Sequence, residues 1–436
     1  MHPACIYIDD FIPKRQEDTM TVNHSLPHVL PEMLTPDFWA DRLANPSALL
    51  LTPEKIHHFN QLIRQRLPGE MMDLAAFPRE MDSAVLHTWL TKPRFPQKTY
   101  DACGKPLSSA FLGELKNNIN ATNLPRRIAV AYGTTIRHAE MRLFPTDEPA
   151  FATPEDTRFD QWQATAVNPG EPLIILHQSL DGKWCYVQTE YYRGWIAARY
   201  LARFSSRSQW LSYLRHSPFL TVTGPGLTVT LPPDSSESVL RFEMGAKIRA
   251  FPVAGSSQSF LGFIPTGKSG APLTFPLALS PDLAFGYLPY TETHLFQQAF
   301  KMLGQPYGWG GQDLHPDCSS FTRNLYRCFG FDLPRDSGVQ ARCSPNTVPL
   351  NHLPPEQKSK VLSALPAGTL LHLDGHIMVY LGMSGGRHYV IHALSGYRRG
   401  QHHTIYLMAV TVSDLSLRRL NGQTLLDALT SAVILR

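Results

Sequence analysis

The chain has 436 residues, a formal net charge of +4 and a hydrophobic fraction of 43%. This length predicts two to four domains with ample core, and the composition is that of an ordinary soluble globular protein. Basic residues are not run together, which argues against nucleic acid as a partner.

Further classes of protein are disfavoured by what the sequence lacks. The six cysteines lie far apart without CxxC or metal-ligand spacing, and no HExxH, P-loop or GxSxG motif occurs. We therefore expect free thiols, no metal and no cofactor. No apolar stretch precedes Cys5 and no run is long enough to span a bilayer, so neither a lipid-modified cysteine nor a transmembrane segment is predicted.

The expected cellular location follows from the same lack of an apolar stretch near the N-terminus. As written, the chain carries no export signal, and we expect a cytoplasmic protein. An incomplete N-terminus would instead permit a periplasmic or cell-envelope location. No pattern in the sequence predicts the oligomeric state.

Residues 1–125 are predicted to be helical and irregular. Thr52 is a good N-cap, Pro53 suits the first helical position, and an apolar stripe follows before Pro68 and Gly69. The preceding segment is rich in proline. This pattern is typical of a strap, or clip, over other domains rather than of an independent catalytic unit.

Residues 126–205 change character to short strands separated by turns. The strands are predicted at 128–132, 173–176, 184–188 and 194–196, with turns at 168–170 and 181–183. Such strands favour a small barrel, and the Gly-Trp and Asp-Gly-Lys-Trp segments resemble a bacterial SH3 domain. Of Tyr191 and Tyr192, which precede that Gly-Trp, we expect one to pack in the core and the other to face outward.

Residues 206–290 also contain short predicted strands separated by turns, but the pattern is less regular. Strands at 220–223 and 227–230 flank Gly224-Pro225-Gly226 and predict a hairpin. Later strands are predicted at 247–251, 260–264 and 285–288. We interpret this region as a second SH3-like barrel.

Residues 291–436 carry the chemistry. After a helix at 295–303 closed by Gly304, Asp317 is a good N-cap for a helix whose apolar stripe runs to Phe329. Cys318 therefore falls at the first helical position, where the helix dipole and unpaired N–H groups favour a thiolate. The alternative is a buried, inert cysteine.

Two histidines are predicted to meet on a hairpin downstream. His376 opens an apolar strand, a Ser-Gly-Gly turn follows, and His392 lies on the returning strand. His376 could then accept the thiol proton while His392 orients its ring. The alternative for His392 is a core histidine with no role in the chemistry.

These residues resemble the NlpC/P60 family of cysteine peptidases over roughly residues 291–410. The matching positions, in order, are Tyr307, Trp309, Gly310, Gly311, Asp317, Cys318, Ser319, Arg335, Ser337, Gln340, His376, Tyr380, Gly382 and His392. Two departures occur: Ser320 stands where the family usually has Gly, and 366–369 lacks a customary acidic residue.

The resemblance implies an α+β fold. It predicts a papain-like domain at 291–436, in which a cysteine helix packs on an antiparallel sheet. Two SH3-like barrels, at 126–205 and 206–290, and an N-terminal clip at 1–125 precede that domain.

The activity implied is that of a cysteine endopeptidase on murein peptides, cleaving between γ-D-glutamate and diaminopimelate. Cys318, His376 and His392 would be catalytic, and the predicted substrate-binding residues are Tyr307, Asp317, Ser319, Tyr191 and Tyr192. The backbone N–H of Cys318 and the side chain of Tyr307 could stabilise the oxyanion.

An N-terminal strap and a barrel beside the cysteine would close one end of the groove. We therefore expect a preference for short peptides with a free amino end, with the outward tyrosine near that amine. Other readings remain open: a wall-binding protein without catalysis, an amidase or acyltransferase on the same scaffold, and barrels that only tether the enzyme to the cell wall.

Overall fold

The computed structural model describes residues 26–95, 98–122, 124–231, 238–266, 272–400 and 403–436. Cys5 therefore lies outside the described residues. The fold mixes helices with antiparallel sheets of two to seven strands. In the part of the chain that is described, no helix combines the length and the apolar character needed to traverse a bilayer.

The N-terminal region is mainly helical, as predicted. The Thr52 hydroxyl accepts a hydrogen bond from the backbone N–H of Lys55, so the predicted cap is present. The elements are the 3-10 turns Pro31–Leu34 and Leu74–Ala76, α1 (Pro36–Ala40), α2 (Pro53–Arg66), β1 (Glu80–Asp82), α3 (Ser83–Thr91) and α4 (Ser109–Asn118).

This region is divided between two hydrophobic cores. Trp39 and Ile63 are buried with the side chains of the C-terminal domain, whereas Leu86 and Leu115 are buried with those of the seven-stranded sheet. Since neither half has a core of its own, the region wraps the other domains.

A seven-stranded antiparallel sheet follows, in the order β5-β4-β8-β7-β6-β3-β9. The predicted strand at 128–132 is wrong as one element, because its first half pairs with β1 and only its second half joins the sheet. The strands are β2 (Arg127–Ala129), β3 (Ala131–Thr135), β4 (Ala139–Arg142), β5 (Gln163–Val167), β6 (Pro172–Gln178), β7 (Trp184–Gln188), β8 (Arg193–Ala197) and β9 (Leu201–Arg203).

The next unit has a five-stranded sheet, β15-β14-β13-β10-β16, and a separate pair, β11-β12. The predicted hairpin around Gly224-Pro225-Gly226 is wrong: β10 pairs with β13 and β16, and β11 pairs with β12. The elements are α5 (Arg207–Leu214), β10 (Phe219–Val222), β11 (Gly226–Thr230), β12 (Val239–Glu243), β13 (Lys247–Pro252), β14 (Ser259–Ile264), β15 (Leu273–Ala278) and β16 (Leu283–Phe285).

The C-terminal domain places α7 against a six-stranded antiparallel sheet, β17-β24-β18-β19-β20-β23. Its helices are α6 (Glu292–Lys301), the 3-10 segment Trp309–Leu314, α7 (Cys318–Arg327), α8 (Ser337–Gln340), α9 (Pro355–Ser363) and α10 (Leu425–Ala428). Its strands are β17 (Thr347–Pro349), β18 (Leu370–Leu373), β19 (His376–Ser384), β20 (Arg387–Leu394), β21 (Tyr397–Arg399), β22 (His403–Ile405), β23 (Ala409–Asp414) and β24 (Leu429–Val433).

The glycine-rich segment before α7 is pressed against β5 of the barrel. Gly310 and Gly311 have φ values of +63° and +79°, and a Cβ on Gly310 would lie 2.5 Å from Cγ of Gln163. The Gln163 side chain donates to the Gly310 carbonyl (3.1 Å), and the Trp309 indole donates to the Asp160 carbonyl (2.9 Å). Glycine is required here both by the backbone conformation and by the close approach.

Candidate active site

Cys318 is the first residue of α7, as predicted. The Asp317 carboxylate caps the helix by accepting from the backbone N–H of Ser320 (2.8 Å). The Ser320 hydroxyl accepts from the backbone N–H of Asp317 (2.8 Å), which completes a capping box. The Ser320 side chain therefore stabilises the start of the helix. A glycine at this position would leave the backbone N–H of Asp317 without this acceptor.

A buried ion pair fixes the cap from the other side. Arg335 holds both carboxylate oxygens of Asp317, with Nη1 3.1 Å from Oδ1. Burial alone would raise the pKa of Asp317, but the Arg335 charge and the hydrogen bonds outweigh it and lower that pKa. Asp317 stays ionised and also accepts from the backbone N–H of Gly310 (3.1 Å), so cap and loop are tied together.

Ser319 belongs to the same buried cluster. Its hydroxyl donates to Asp317 (3.2 Å) and accepts from Arg335 (2.8 Å). The structure thus places Asp317 and Ser319 beside the cysteine, where they hold the start of α7. Their contact with substrate stays a prediction.

The Cys318 side chain is 7% exposed, and its thiol is a weak acid. Burial, with the neighbouring Asp317 charge, raises the pKa of Cys318 to about 12, against the lowering effect of the Ile377 backbone N–H. At this site desolvation outweighs the helix terminus, which by itself favours the thiolate.

The hairpin of β19 and β20 brings the two histidines together, as predicted. Nε2 of His376 lies 2.7 Å from Nδ1 of His392. Burial lowers the pKa of His376 to about 4, helped by the charge of Arg419. Burial and His376 together lower the pKa of the fully buried His392 well below its ordinary value. Both rings are therefore neutral near pH 7.

A third polar group ends this series of hydrogen bonds. The Ser413 hydroxyl on β23 lies 3.0 Å from Nε2 of His392. If His376 keeps Nδ1 free to accept a proton, its Nε2–H donates to His392, and His392 in turn donates from its own Nε2 to Ser413. Sequence reasoning missed Ser413, because a lone serine in a strand carries no signal of the neighbour it will face.

Cys318 and His376 are positioned by the packing of α7 on β19. The hydrogen bond from the backbone of Ile377, the residue after His376, places the thiol at the start of that strand. Among the hydrogen bonds of the described residues, none joins the thiol to the imidazole. Catalytic hydrogen bonds often tighten only when substrate is bound.

Tyr307 also lies close to Cys318. Its hydroxyl is within hydrogen-bonding reach of the Cys318 backbone N–H. Burial raises the pKa of Tyr307 well above its ordinary value, and a negative charge on Cys318 adds to this effect. The phenol therefore keeps its proton.

The two adjacent tyrosines of the barrel differ as expected. Tyr191 is buried, and the Arg323 guanidinium lies 3.4 Å from its ring centroid. Tyr192 is only partly buried and lines a cleft with Glu70 and Asp336. Asp336, which sequence reasoning did not select, is an exposed residue at this cleft and follows Arg335 in the chain.

The comparisons with known proteins identify two domains in this chain. Residues 304–431 match the NlpC/P60 family and residues 149–197 match an SH3 domain of the SH3b1 type. The chain therefore contains an NlpC/P60 domain and an SH3b domain. Only one SH3 domain is found, so a second one at 206–290 stays a prediction.

Similar proteins come from Bacillus cereus and from Photobacterium damselae subsp. piscicida. A γ-D-glutamyl-L-lysine dipeptidyl-peptidase of Bacillus cereus (strain ATCC 10987 / NRS 248) is 26% identical over 236 residues, which are 48% of this chain and 67% of that protein. An NlpC/P60 endopeptidase structure from Photobacterium damselae subsp. piscicida has a TM-score of 0.71 at 18% identity, covering 89% of this chain and 94% of that chain.

A second solved structure is an NlpC/P60 family protein from Bacillus cereus ATCC 10987. Its TM-score is 0.50 at 18% identity, and it covers 70% of this chain and 99% of that chain. At such identity both structures establish likeness of fold.

Proposed function

We propose that this protein is a cysteine peptidase acting on peptides of the bacterial cell wall. The observation that carries the proposal is the order Cys318, His376, His392 at the start of α7 and on the β19–β20 hairpin, within an NlpC/P60 domain. The nearness of His376 to His392 and the position of Cys318 at the start of α7 favour catalysis over the alternative of a binding protein without catalysis.

The first half-reaction is acylation of the thiol. Nδ1 of His376 takes the thiol proton as the sulfur attacks the substrate carbonyl, so the charge separates only with substrate bound. In this proposal the backbone N–H of Cys318 and the Tyr307 hydroxyl would donate to the resulting oxyanion. His376 then returns the proton to the leaving amine, and a thioester remains on Cys318.

The second half-reaction repeats these steps with water. His376 removes a proton from water, which attacks the thioester and releases the free acid and the thiol. Throughout, His392 holds the ring of His376 through the 2.7 Å hydrogen bond.

We infer that the scissile bond joins γ-D-glutamate to diaminopimelate in short peptides with a free N-terminal L-Ala. The named activity of the Bacillus cereus relative supports a γ-D-glutamyl bond and the release of a dipeptide. The cleft beside Tyr192 supports the free amine, since the exposed carboxylate of Asp336 can accept from an ammonium and an aromatic ring can face it.

The test is to incubate the protein with L-Ala-γ-D-Glu-diaminopimelate, its N-acetylated form and intact peptidoglycan, and to identify products by mass. We expect L-Ala-D-Glu and diaminopimelate from the free peptide, and a much smaller kcat/KM for the acetylated one. Cys318→Ala is the matched inactive variant, because alanine is well tolerated in the first turn of a helix. Cleavage by Cys318→Ala would rule out the thiol mechanism, and equal rates on both peptides would favour barrels that only tether the enzyme.

A further inference from the structure

A cavity of about 300 Å³ lies beside His376 and shares none of its described lining residues with the Tyr192 cleft. One wall is aromatic and includes Tyr307 and Trp309, together with His376 itself. The other wall is the turn between β23 and α10, which contributes Arg418 and Arg419. The cavity therefore joins a residue of the proposed catalytic triad to a pair of guanidinium groups.

The turn is held in place by its own hydrogen bonds. The backbone N–H of Arg398 donates to the Arg418 carbonyl (2.9 Å), and that of Arg419 donates to the Gln423 carbonyl (2.8 Å). The Arg419 side chain also donates to the Asp374 carbonyl (2.9 Å). The guanidinium groups are thus carried by an ordered segment, and each still has N–H donors to spare.

Their charges are not neutralised within the protein. Among the described residues, neither Arg418 nor Arg419 forms an ion pair, and no Asp or Glu is among the described residues that line the cavity. The Arg419 charge reaches the reaction centre, since it contributes to the lowered pKa of His376. A planar guanidinium facing a half-enclosed space is suited to a carboxylate.

We propose that this cavity binds the leaving part of the substrate and that Arg418 and Arg419 recognise a carboxylate on it. The inference rests on the proposed peptidase function and specifies its substrate: an amino acid on the leaving side that carries free carboxylates, as diaminopimelate does. Arg418 and Arg419 are specificity-determining residues, and proton transfer stays with His376.

The experiment compares two substrates that differ only in charge on the leaving side. L-Ala-γ-D-Glu-diaminopimelate with both leaving-side carboxylates free is measured against the same peptide with both as carboxamides. We expect kcat/KM to be at least about tenfold higher for the dicarboxylate, the usual size of one charge-assisted hydrogen bond. Added salt should lower only the rate of the dicarboxylate, since it screens the attraction.

The variant Arg418→Gln/Arg419→Gln should bring the ratio between the two substrates close to one. It should do so by raising KM more for the dicarboxylate than for the diamide, and any effect of the lost Arg419 charge on His376 is common to both substrates and cancels in the ratio. Arg399→Gln is the matched control, because Arg399 is exposed and does not line the cavity; it should keep the full ratio. The single variant Arg418→Gln keeps the hydrogen bond from the Arg419 side chain to the Asp374 carbonyl. It replaces the double variant in this test if the double variant is unstable.

A ratio near one in the unaltered protein, or a ratio that survives the double substitution, overturns the inference while leaving the peptidase function standing. Failure to cleave either substrate overturns the proposed function itself. The two failures are therefore distinguishable.

Discussion

The Cys318 thiol is held as a neutral acid, and that determines how it must react. Burial raises its pKa to about 12, and the His376 beside it has a pKa of about 4. Burial therefore disfavours a resting thiolate–imidazolium pair, and in the proposed mechanism the proton moves as the oxyanion forms. Such a site reacts slowly with thiol reagents and is activated by the substrate that fills it.

Alkylation with iodoacetamide tests the accessibility of the thiol. Cys318 should be labelled faster than Cys328 at pH 7, because it is 7% exposed while Cys328 is completely buried. Both pKa values are raised by burial, so the difference comes from access. Peptide mapping by mass spectrometry reads the two rates, and equal labelling would count against an open site at Cys318.

Replacement of the two histidines should separate their roles. His376→Ala should lower kcat by about 10³-fold or more, since it removes the group that moves the proton in both half-reactions. His392→Ala should cost less, about 10- to 100-fold, because it removes the partner that orients the ring. A silent His392→Ala would mean that this histidine is a packed core residue and that the third group lies elsewhere.

Burial of a neutral His392 also makes stability depend on pH. Its folded pKa lies below the unfolded value of about 6.5, so the unfolded chain binds more protons as the pH falls. This contribution to stability is complete above pH 6.5 and is lost below it. Between pH 7 and 5 the free energy of unfolding should fall by up to about 2 kcal/mol through this group.

The measurement is urea unfolding at both pH values, for the unaltered protein, His392→Gln and the exposed control His58→Gln. The pH dependence should shrink in His392→Gln alone. The same dependence in all three proteins would contradict a buried neutral His392.

At the level of elements, the loop before α7 is shaped by the barrel strand it touches. Gly310→Ala would place a methyl group 2.5 Å from the Gln163 side chain and 3.2 Å from its carbonyl. We expect a loss of about 1–3 kcal/mol from this collision, together with reduced activity, because the loop leads directly to Cys318. Differential scanning calorimetry and kcat/KM report the two effects.

Gly255→Ala is the matched control for the loop. Gly255 also has a positive φ, +81°, but nothing lies within 4 Å of an added Cβ. The Gly255→Ala variant therefore has an unfavourable positive φ, as Gly310→Ala does, but no steric clash of the added methyl group. Equal losses in the two variants would show that conformation alone, and not contact with β5, requires glycine at 310.

At the scale of the whole molecule, Arg335 joins two domains at the active site. It binds Asp317 in the NlpC/P60 domain, and its Nε donates to the Thr165 hydroxyl on β5 (2.7 Å). Arg335→Ala would leave a buried carboxylate without its partner, which should cost about 3–5 kcal/mol. We also expect lower activity, since the cap of α7 would lose its support.

Arg127→Ala is the control for that substitution. It removes an exposed ion pair with Glu80, whose side chains are 60% and 54% accessible, and such pairs contribute at most about 1 kcal/mol. Comparable melting temperatures for Arg335→Ala and Arg127→Ala would mean that the buried pair does not couple the two domains.

Much of the site could be predicted because its signals are local. The Asp317 cap, the stripe from Phe321 to Phe329 and the turn after β19 each lie within a dozen residues of sequence. Those signals determined that Cys318 begins a helix and that His376 and His392 share a hairpin.

What only the tertiary structure decided depends on residues distant in the chain. Strand pairing is one example. The strands β10 and β11 flank a Gly-Pro-Gly turn but belong to different sheets. Their register and partners are selected by which apolar faces become buried. The protonation state of Cys318 was another, since desolvation by surrounding domains exceeds the effect of its own helix. The contacts of Arg335, Ser413 and Arg419 were decided in the same way, because a side chain's neighbours across a fold leave no pattern in the sequence beside it.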